Sequence, residues 1–331
     1  MVHVHFETRA DKPAVFLMTE PVILAAKARA AVDVSFSLND DPRDLSWLER
    51  AAGLVTSNDL LLEPDFPLRD LTRRAPNLRW IHIIGAGIEP LLPLDWMPDG
   101  MVLTNNSGVH VEKTRESAMM ALLMLHGRLP AMITQQRQHL WRPIFTSRIS
   151  GRRLLVVGVG DMGGGIAAAG RSLGLRVTGV RRSGAPHPDV ERMVTLDALE
   201  TVLPEADFVA LAAPLTPETR GMLNRRRLAL MKPGAAIYNV GRGGLIDHAA
   251  LAECLRSGAI SGAVLDVFDP EEPLPASSPL WDTPNLVIMP HVTSDDLDTY
   301  LPDTFDMVFA NVMRLARGEK LLNRVDPGRG Y

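Results

Sequence analysis

The chain has 331 residues, about two domains' worth, of which 46% are hydrophobic, 22% charged and 5% aromatic, enough to bury a core without a metal or disulfide staple. Its 35 basic and 39 acidic residues leave a net charge of −4, which argues against a nucleic-acid or membrane-surface protein. One cysteine, Cys254, excludes an intramolecular disulfide or a cysteine-based metal site and fits a reducing, cytoplasmic compartment.

The longest apolar run, Ala118 to Leu125, falls well short of the roughly 20 residues of a membrane span. The N-terminus has no basic stretch followed by an apolar one, so no signal peptide is expected. Residues 14–18 read as a strand, 23–31 as a helix and 32–38 as a strand. Residues 45–52 look helical, 53–57 strand-like, 68–75 helical and 78–84 strand-like, with a further short strand at 101–104. This alternation predicts a parallel sheet with helices on its faces. Residues 111–129 form a long helical pattern rich in Ala, Leu and Met, and a polar segment follows at 134–149. A second series then begins: strand 152–157, a glycine cluster at 158–165 and a helix at 166–173. Strands are expected at 176–180, 208–211, 235–239, 262–267 and 286–289, and a final amphipathic helix at 296–316.

Gly158-Val-Gly160-Asp161-Met162-Gly163 reads G-x-G-x-x-G between a strand and a helix. In that setting Gly158 permits a tight turn, Gly160 lets backbone approach a pyrophosphate, and Gly163 lets helix and strand pack closely. The N–H groups near Asp161 and Met162 open the helix and face the anion. The next strand ends in Arg181-Arg182-Ser183. A dinucleotide fold commonly carries an acid there for the ribose 2′-OH. Two guanidinium groups and a hydroxyl instead suit a 2′-phosphate, so NADP(H) is expected over NAD(H).

Three further segments stand in order: Asn239-Val-Gly-Arg242-Gly-Gly-Leu-Ile-Asp247, Leu265-Asp266-Val-Phe-Asp-Pro-Glu271-Glu272-Pro273-Leu-Pro275, and Pro290-His291-Val-Thr-Ser294. With Leu215–Gly221 ahead of them, they make the chain resemble the D-isomer-specific 2-hydroxyacid dehydrogenases, densely in the C-terminal half and mainly by element order in the first 75 residues. The resemblance implies an α/β protein of two Rossmann-like domains with parallel sheets. A dinucleotide-binding domain, residues 107–296, is inserted into a discontinuous substrate domain, residues 1–106 plus 297–331. It implies reversible hydride transfer between NADP(H) and a small 2-oxoacid/D-2-hydroxyacid pair, glyoxylate or hydroxypyruvate first. It also implies a homodimer, joined by an arm over residues 129–145 that carries Trp141, and no metal. Ala213, Pro214, Val240 and Gly241 join the cofactor-binding set on the same ground.

The chemistry needs these residue types. Reduction delivers a hydride to carbon and a proton to oxygen. Arg242 can anchor the substrate's carboxylate and carbonyl and stabilise the developing alkoxide. His291, which also borders the cofactor, can donate the proton. A carboxylate orienting the ring favours the imidazolium, and the resemblance places it in the E-P segment. Counting five residues from Asp266 gives Glu271; reading back from Pro273-Leu-Pro275 gives Glu272. The count from the strand end is preferred, hence Glu271. By the same resemblance Asp266 is expected at the nicotinamide carboxamide. Trp80 to Glu89 resembles the substrate loop, with the N–H groups of Ala86 and Gly87 as carboxylate donors. Asn58 follows a strand as a candidate to face the cleft, although Ser57-Asn58-Asp59 also makes a good turn.

Related chemistries bound this reading. A formate dehydrogenase of this family would carry an amide where Glu271 or Glu272 stands. A phosphite dehydrogenase keeps Arg, Glu and His, and an NAD(H)-dependent D-2-hydroxyacid dehydrogenase keeps the whole site. A dinucleotide-sensing, corepressor-like binding protein is the alternative from another class.

Overall fold

A computed structural model of the chain describes residues 2–41, 44–64, 66 and 68–328. The chain divides into two compact units, one of Met1–His110 with Asp295–Tyr331, the other of Val111–Ser294. Both are α/β units built on parallel sheets.

The first unit holds β1 (His3–Glu7), β2 (Ser35–Asn39), β3 (Gly53–Thr56), β4 (Trp80–Ile83) and β5 (Val102–Thr104). They lie in the order β2-β1-β3-β4-β5, every neighbour pair parallel. β1, inside the sheet, is absent from the expected elements. A strand buried on both faces normally reads as an unbroken apolar run. Here Val4 and Phe6 enter one core, beside Ile23, Phe305 and Phe309. On the other face His5 stacks on Trp47 at 4.3 Å between ring centres and hydrogen-bonds Glu7 at 2.8 Å. Two polar side chains hydrogen-bonded to each other hide a core strand in an alternating sequence.

Residues 14–18 are not a strand. Pro13 O accepts from the Phe16 N–H at 2.9 Å and closes a turn there. Residues 46–50, expected helical, are also turns. The helix after residues 14–18 starts at Glu20 rather than 23, with Pro21 in its first turn, where a missing N–H costs nothing. The last helix, Tyr300–Ala316, starts later than expected because Asp296 accepts from the N–H groups of Asp298 and Thr299 and holds a turn. Its buried Phe305, Val308, Phe309 and Val312 complete one of the sheet's two cores.

The second unit holds β6 (Arg153–Val157), β7 (Arg176–Val180), β8 (Arg192–Val194), β9 (Phe208–Leu211), β10 (Ala236–Asn239), β11 (Gly262–Leu265) and β12 (Leu286–Ile288). The order is β12-β11-β10-β9-β6-β7-β8. β8, a short edge strand, was not expected. From β6 the chain builds outward through β7 and β8, then returns to β9 on the other side of β6. Such a reversal opens a crevice outside the carboxyl ends of the strands, where ligands bind in open α/β sheets. The helix expected at 166 begins at Asp161, so Gly163 lies in its first turn. The long helix expected over 111–129 ends at His126, and a second helix, Leu129–Arg137, follows it. Arg128 sits between them in the left-handed region, with φ 59°. Among the described residues no helix is long and apolar enough to cross a membrane.

Candidate active site

Parallel strands all end on one edge, and that edge of the second unit collects the residues marked by the sequence. Gly158 follows β6, Arg181 follows β7, Ala213 and Pro214 lie just past β9, Val240 to Arg242 follow β10, Asp266 follows β11, and His291 lies three residues past β12.

At the reversal point the loops touch through glycine. Gly158 has φ +94°, and a Cβ there would stand 2.4 Å from the Ala213 nitrogen. A Cβ on Gly163 would stand 2.0 Å from the Gly158 carbonyl oxygen, whereas one on Gly160 would meet nothing. The cradle is therefore closed on its protein side and open at Gly160, where the helix Asp161–Ser172 presents the N–H groups of its first turn, Asp161 and Met162 among them. This arrangement fits the pyrophosphate of a dinucleotide. Val240 and Gly241 are buried under the neighbouring turn; a Cβ on Gly241 would come within 2.8 Å of Ala213 O. Arg181 is half-buried, and Arg182 and Ser183 are exposed. Ser183 Oγ accepts from the Ala185 N–H at 3.3 Å. Arg182 lies close enough to Glu218 to help lower its carboxyl, after hydrogen bonds from Thr216 and the backbone.

Asn239, which sequence reasoning quoted only as the start of a motif, builds the Arg242 turn. Fully buried, it accepts from the Gly241 N–H at 3.1 Å and donates to Arg242 O at 3.0 Å. Arg242 in turn donates through Nη1 to Gly241 O at 2.7 Å.

Asp266 is buried, and its carboxylate accepts from the N–H groups of Val292 and Thr293, at 3.0 and 3.3 Å, and from Thr293 Oγ1 at 2.7 Å. Burial raises its pKa against those bonds. The carboxylate is thus engaged with the residues just after His291. That loop has a reason to be held: His291 adopts φ +56°, a left-handed conformation that costs a residue with a Cβ about 1 kcal/mol.

So held, His291 meets Glu272 and not Glu271. Its Nδ1 lies 2.7 Å from Glu272 Oε2, while Glu272 Oε1 accepts from the Phe268 N–H at 2.5 Å. Both glutamates are exposed, but Glu271 hydrogen-bonds no described residue. The count from Asp266 fails because the Phe268 N–H ties residue 272 back toward the strand end. The pair is electrostatically coupled. The Glu272 hydrogen bond raises the His291 pKa above its ordinary value, against burial and the nearby Arg242 charge. Burial works to raise the Glu272 carboxyl, but the bonds from His291 and Phe268 outweigh it and its pKa is lowered. With Nδ1 on Glu272, Nε2 is the imidazolium nitrogen left to give a proton. Arg242, Glu272 and His291 thus come together on one sheet edge.

Ala86 and Gly87 belong to the first unit, in the turn after β4. Asn58 donates to Gly87 O at 2.8 Å.

A model of the D-isomer specific 2-hydroxyacid dehydrogenase NAD binding domain matches residues 119–293. A glyoxylate reductase of Korarchaeum cryptofilum is 32% identical over 93% of this chain and 94% of its own. A glyoxylate/hydroxypyruvate reductase B of Pectobacterium carotovorum is 29% identical over 96% of this chain and 98% of its own. Among solved structures, a D-isomer specific 2-hydroxyacid dehydrogenase from Xanthobacter autotrophicus in complex with NADPH and MES is 28% identical with a TM-score of 0.82, covering both chains fully. An NADPH-dependent glyoxylate/hydroxypyruvate reductase from Sinorhizobium meliloti in complex with NADP and sulfate is 27% identical with a TM-score of 0.81, again over both whole chains.

Proposed function

The chain belongs to the D-isomer specific 2-hydroxyacid dehydrogenase family, and we propose that it reduces a small 2-oxoacid, glyoxylate or hydroxypyruvate, with NADPH to the D-2-hydroxyacid. The observation that carries the reading is the His291–Glu272 pair beside Arg242. The cofactor supplies the hydride. Arg242 binds the substrate's carboxylate and carbonyl and offsets charge that develops on the carbonyl oxygen. His291, kept charged by Glu272, gives its Nε2 proton to that oxygen and takes it back in the reverse direction. Asp266 and Asn239 set the two turns from which these side chains project. Ala86 and Gly87, in the first unit, are assigned to the substrate carboxylate through their N–H groups.

The preference for NADPH rests on Arg181, Arg182 and Ser183 at the end of β7, and NADP-bound relatives support it. A hydrogen bond to a charged group contributes roughly 1.5–3 kcal/mol, so one such bond favours NADPH by about tenfold to a hundredfold. We also assign the protein to the cytoplasm as a homodimer. The segment after Arg137 leaves Trp141 97% and Phe145 93% exposed, as an arm that anchors on a second copy would.

The test is absorbance-followed oxidation of NADPH and of NADH with glyoxylate, hydroxypyruvate, pyruvate and phenylpyruvate. Fast NADPH turnover on the small acids is expected. Preference for NADH would overturn the cofactor assignment, and preference for phenylpyruvate the substrate assignment.

A further inference from the structure

The turn after β4 has an arrangement that the reductase reading does not require. Four consecutive backbone carbonyls are each tied from outside the turn. Ile84 O accepts from the Tyr300 hydroxyl. Gly85 O accepts from the Asn106 N–H at 3.0 Å. Ala86 O accepts from Asn105 Nδ2 at 2.7 Å, and Gly87 O from Asn58 Nδ2 at 2.8 Å. The two side-chain amides are oriented unambiguously, because a carbonyl can only accept. In a trans peptide the C=O of one residue and the N–H of the next share a plane and point opposite ways. Fixing Gly85 O therefore aims the Ala86 N–H, and fixing Ala86 O aims the Gly87 N–H. Neither of these N–H groups has an acceptor among the described residues.

The ties are themselves anchored. The Asn105 N–H donates to Asn323 O at 3.2 Å, and Asn106 Nδ2 donates to Thr304 Oγ1 at 2.8 Å. Thr304 and Tyr300 lie on the last helix. Two chain segments far apart in sequence, 105–106 and 300–323, thus converge on one turn and leave it little freedom.

We propose that Asn105, seconded by Asn58, is a positioning residue that preorganises the Ala86 and Gly87 N–H groups to receive a carboxylate. A turn free to rotate its peptide planes would have to be ordered each time an anion bound, and that ordering weakens affinity. The proposal rests on the reductase reading, which assigns the carboxylate to these N–H groups. It ranks the two asparagines: Asn105 ties the peptide that carries the Gly87 N–H, whereas Asn58 ties the next one along.

The experiment measures binding of oxamate, an unreactive 2-oxoacid analogue, to the NADPH-saturated protein by quenching of nicotinamide fluorescence, in wild type, Asn105→Ala and Asn58→Ala. Loss of one oriented hydrogen bond corresponds to roughly two- to tenfold in affinity. Asn105→Ala should weaken oxamate at the upper end of that range and Asn58→Ala less. NADPH affinity should be unchanged, and pyruvate KM should rise more than kcat falls. Should Asn105→Ala fail to fold, Asn105→Leu, of similar shape but without the amide donor, decides in its place. Oxamate affinity equal to wild type in the folded variants, or a parallel loss of NADPH affinity, would overturn the proposal. A wild type that reduces 2-oxoacids while the variants match it refutes the clamp alone. A wild type that neither binds oxamate nor reduces any 2-oxoacid refutes the reductase reading, and the clamp with it.

Discussion

Glu272 and Glu271 are chemically identical neighbours with different hydrogen bonding, and one measurement separates them. Glu272 bonds His291 and the Phe268 N–H, while Glu271 hydrogen-bonds no described residue. The His291 pKa is raised, first by the Glu272 hydrogen bond. In the reducing direction only the imidazolium can donate, so kcat/KM should be full below the His291 pKa and fall as pH rises through it. Glu272→Gln removes the first cause of the shift and should move that falling limb to lower pH. Glu271→Gln should leave it in place. A limb displaced by the 271 change and not by the 272 change would contradict the pairing. Residue types and their order were legible in the sequence here, but the choice of glutamate was not. It depends on how the backbone folds after Phe268, and spacing along the chain does not encode that bend.

At the level of elements, the glycine turn was the clearest signal in the sequence, because it joins a strand to a helix at a point where side chains would collide. A Cβ on Gly163 would lie 2.0 Å from Gly158 O, so Gly163→Ala has to push the helix Asp161–Ser172 off β6. Overpacking of this kind costs about 1–3 kcal/mol. Urea denaturation should show that loss, and NADPH affinity should fall with it. Unchanged stability and affinity would mean that the turn is loose enough to take a side chain. β6, β9, β10 and β11 were legible for a related reason: buried on both faces, they read as apolar runs, whereas the three-residue edge strand β8, only partly buried, does not. β1 escaped notice because His5 and Glu7 supply each other's hydrogen bond inside the core. The false strand at 14–18 was apolar enough but follows Pro13, whose carbonyl closes a turn. The break at Arg128 was equally hidden, since the helical pattern continues on either side of one left-handed residue.

Over the whole molecule, the order of the strands decides which residues share an edge. β6, β9, β10, β11 and β12 are distant in sequence and adjacent in the sheet, and their carboxyl ends bring Gly158, Arg242, Asp266 and His291 onto one edge. The arrangement serves an enzyme and a dinucleotide-sensing protein equally well as a cofactor cradle. Turnover that depends on the proton-donating pair distinguishes them. The most direct measurement is therefore hydroxypyruvate-dependent NADPH oxidation by wild type and His291→Ala, together with NADPH binding by each. Loss of a general acid typically lowers turnover by about 10²- to 10⁴-fold. The account predicts a loss of that size in the variant, with NADPH still bound. Unchanged turnover in His291→Ala would contradict it.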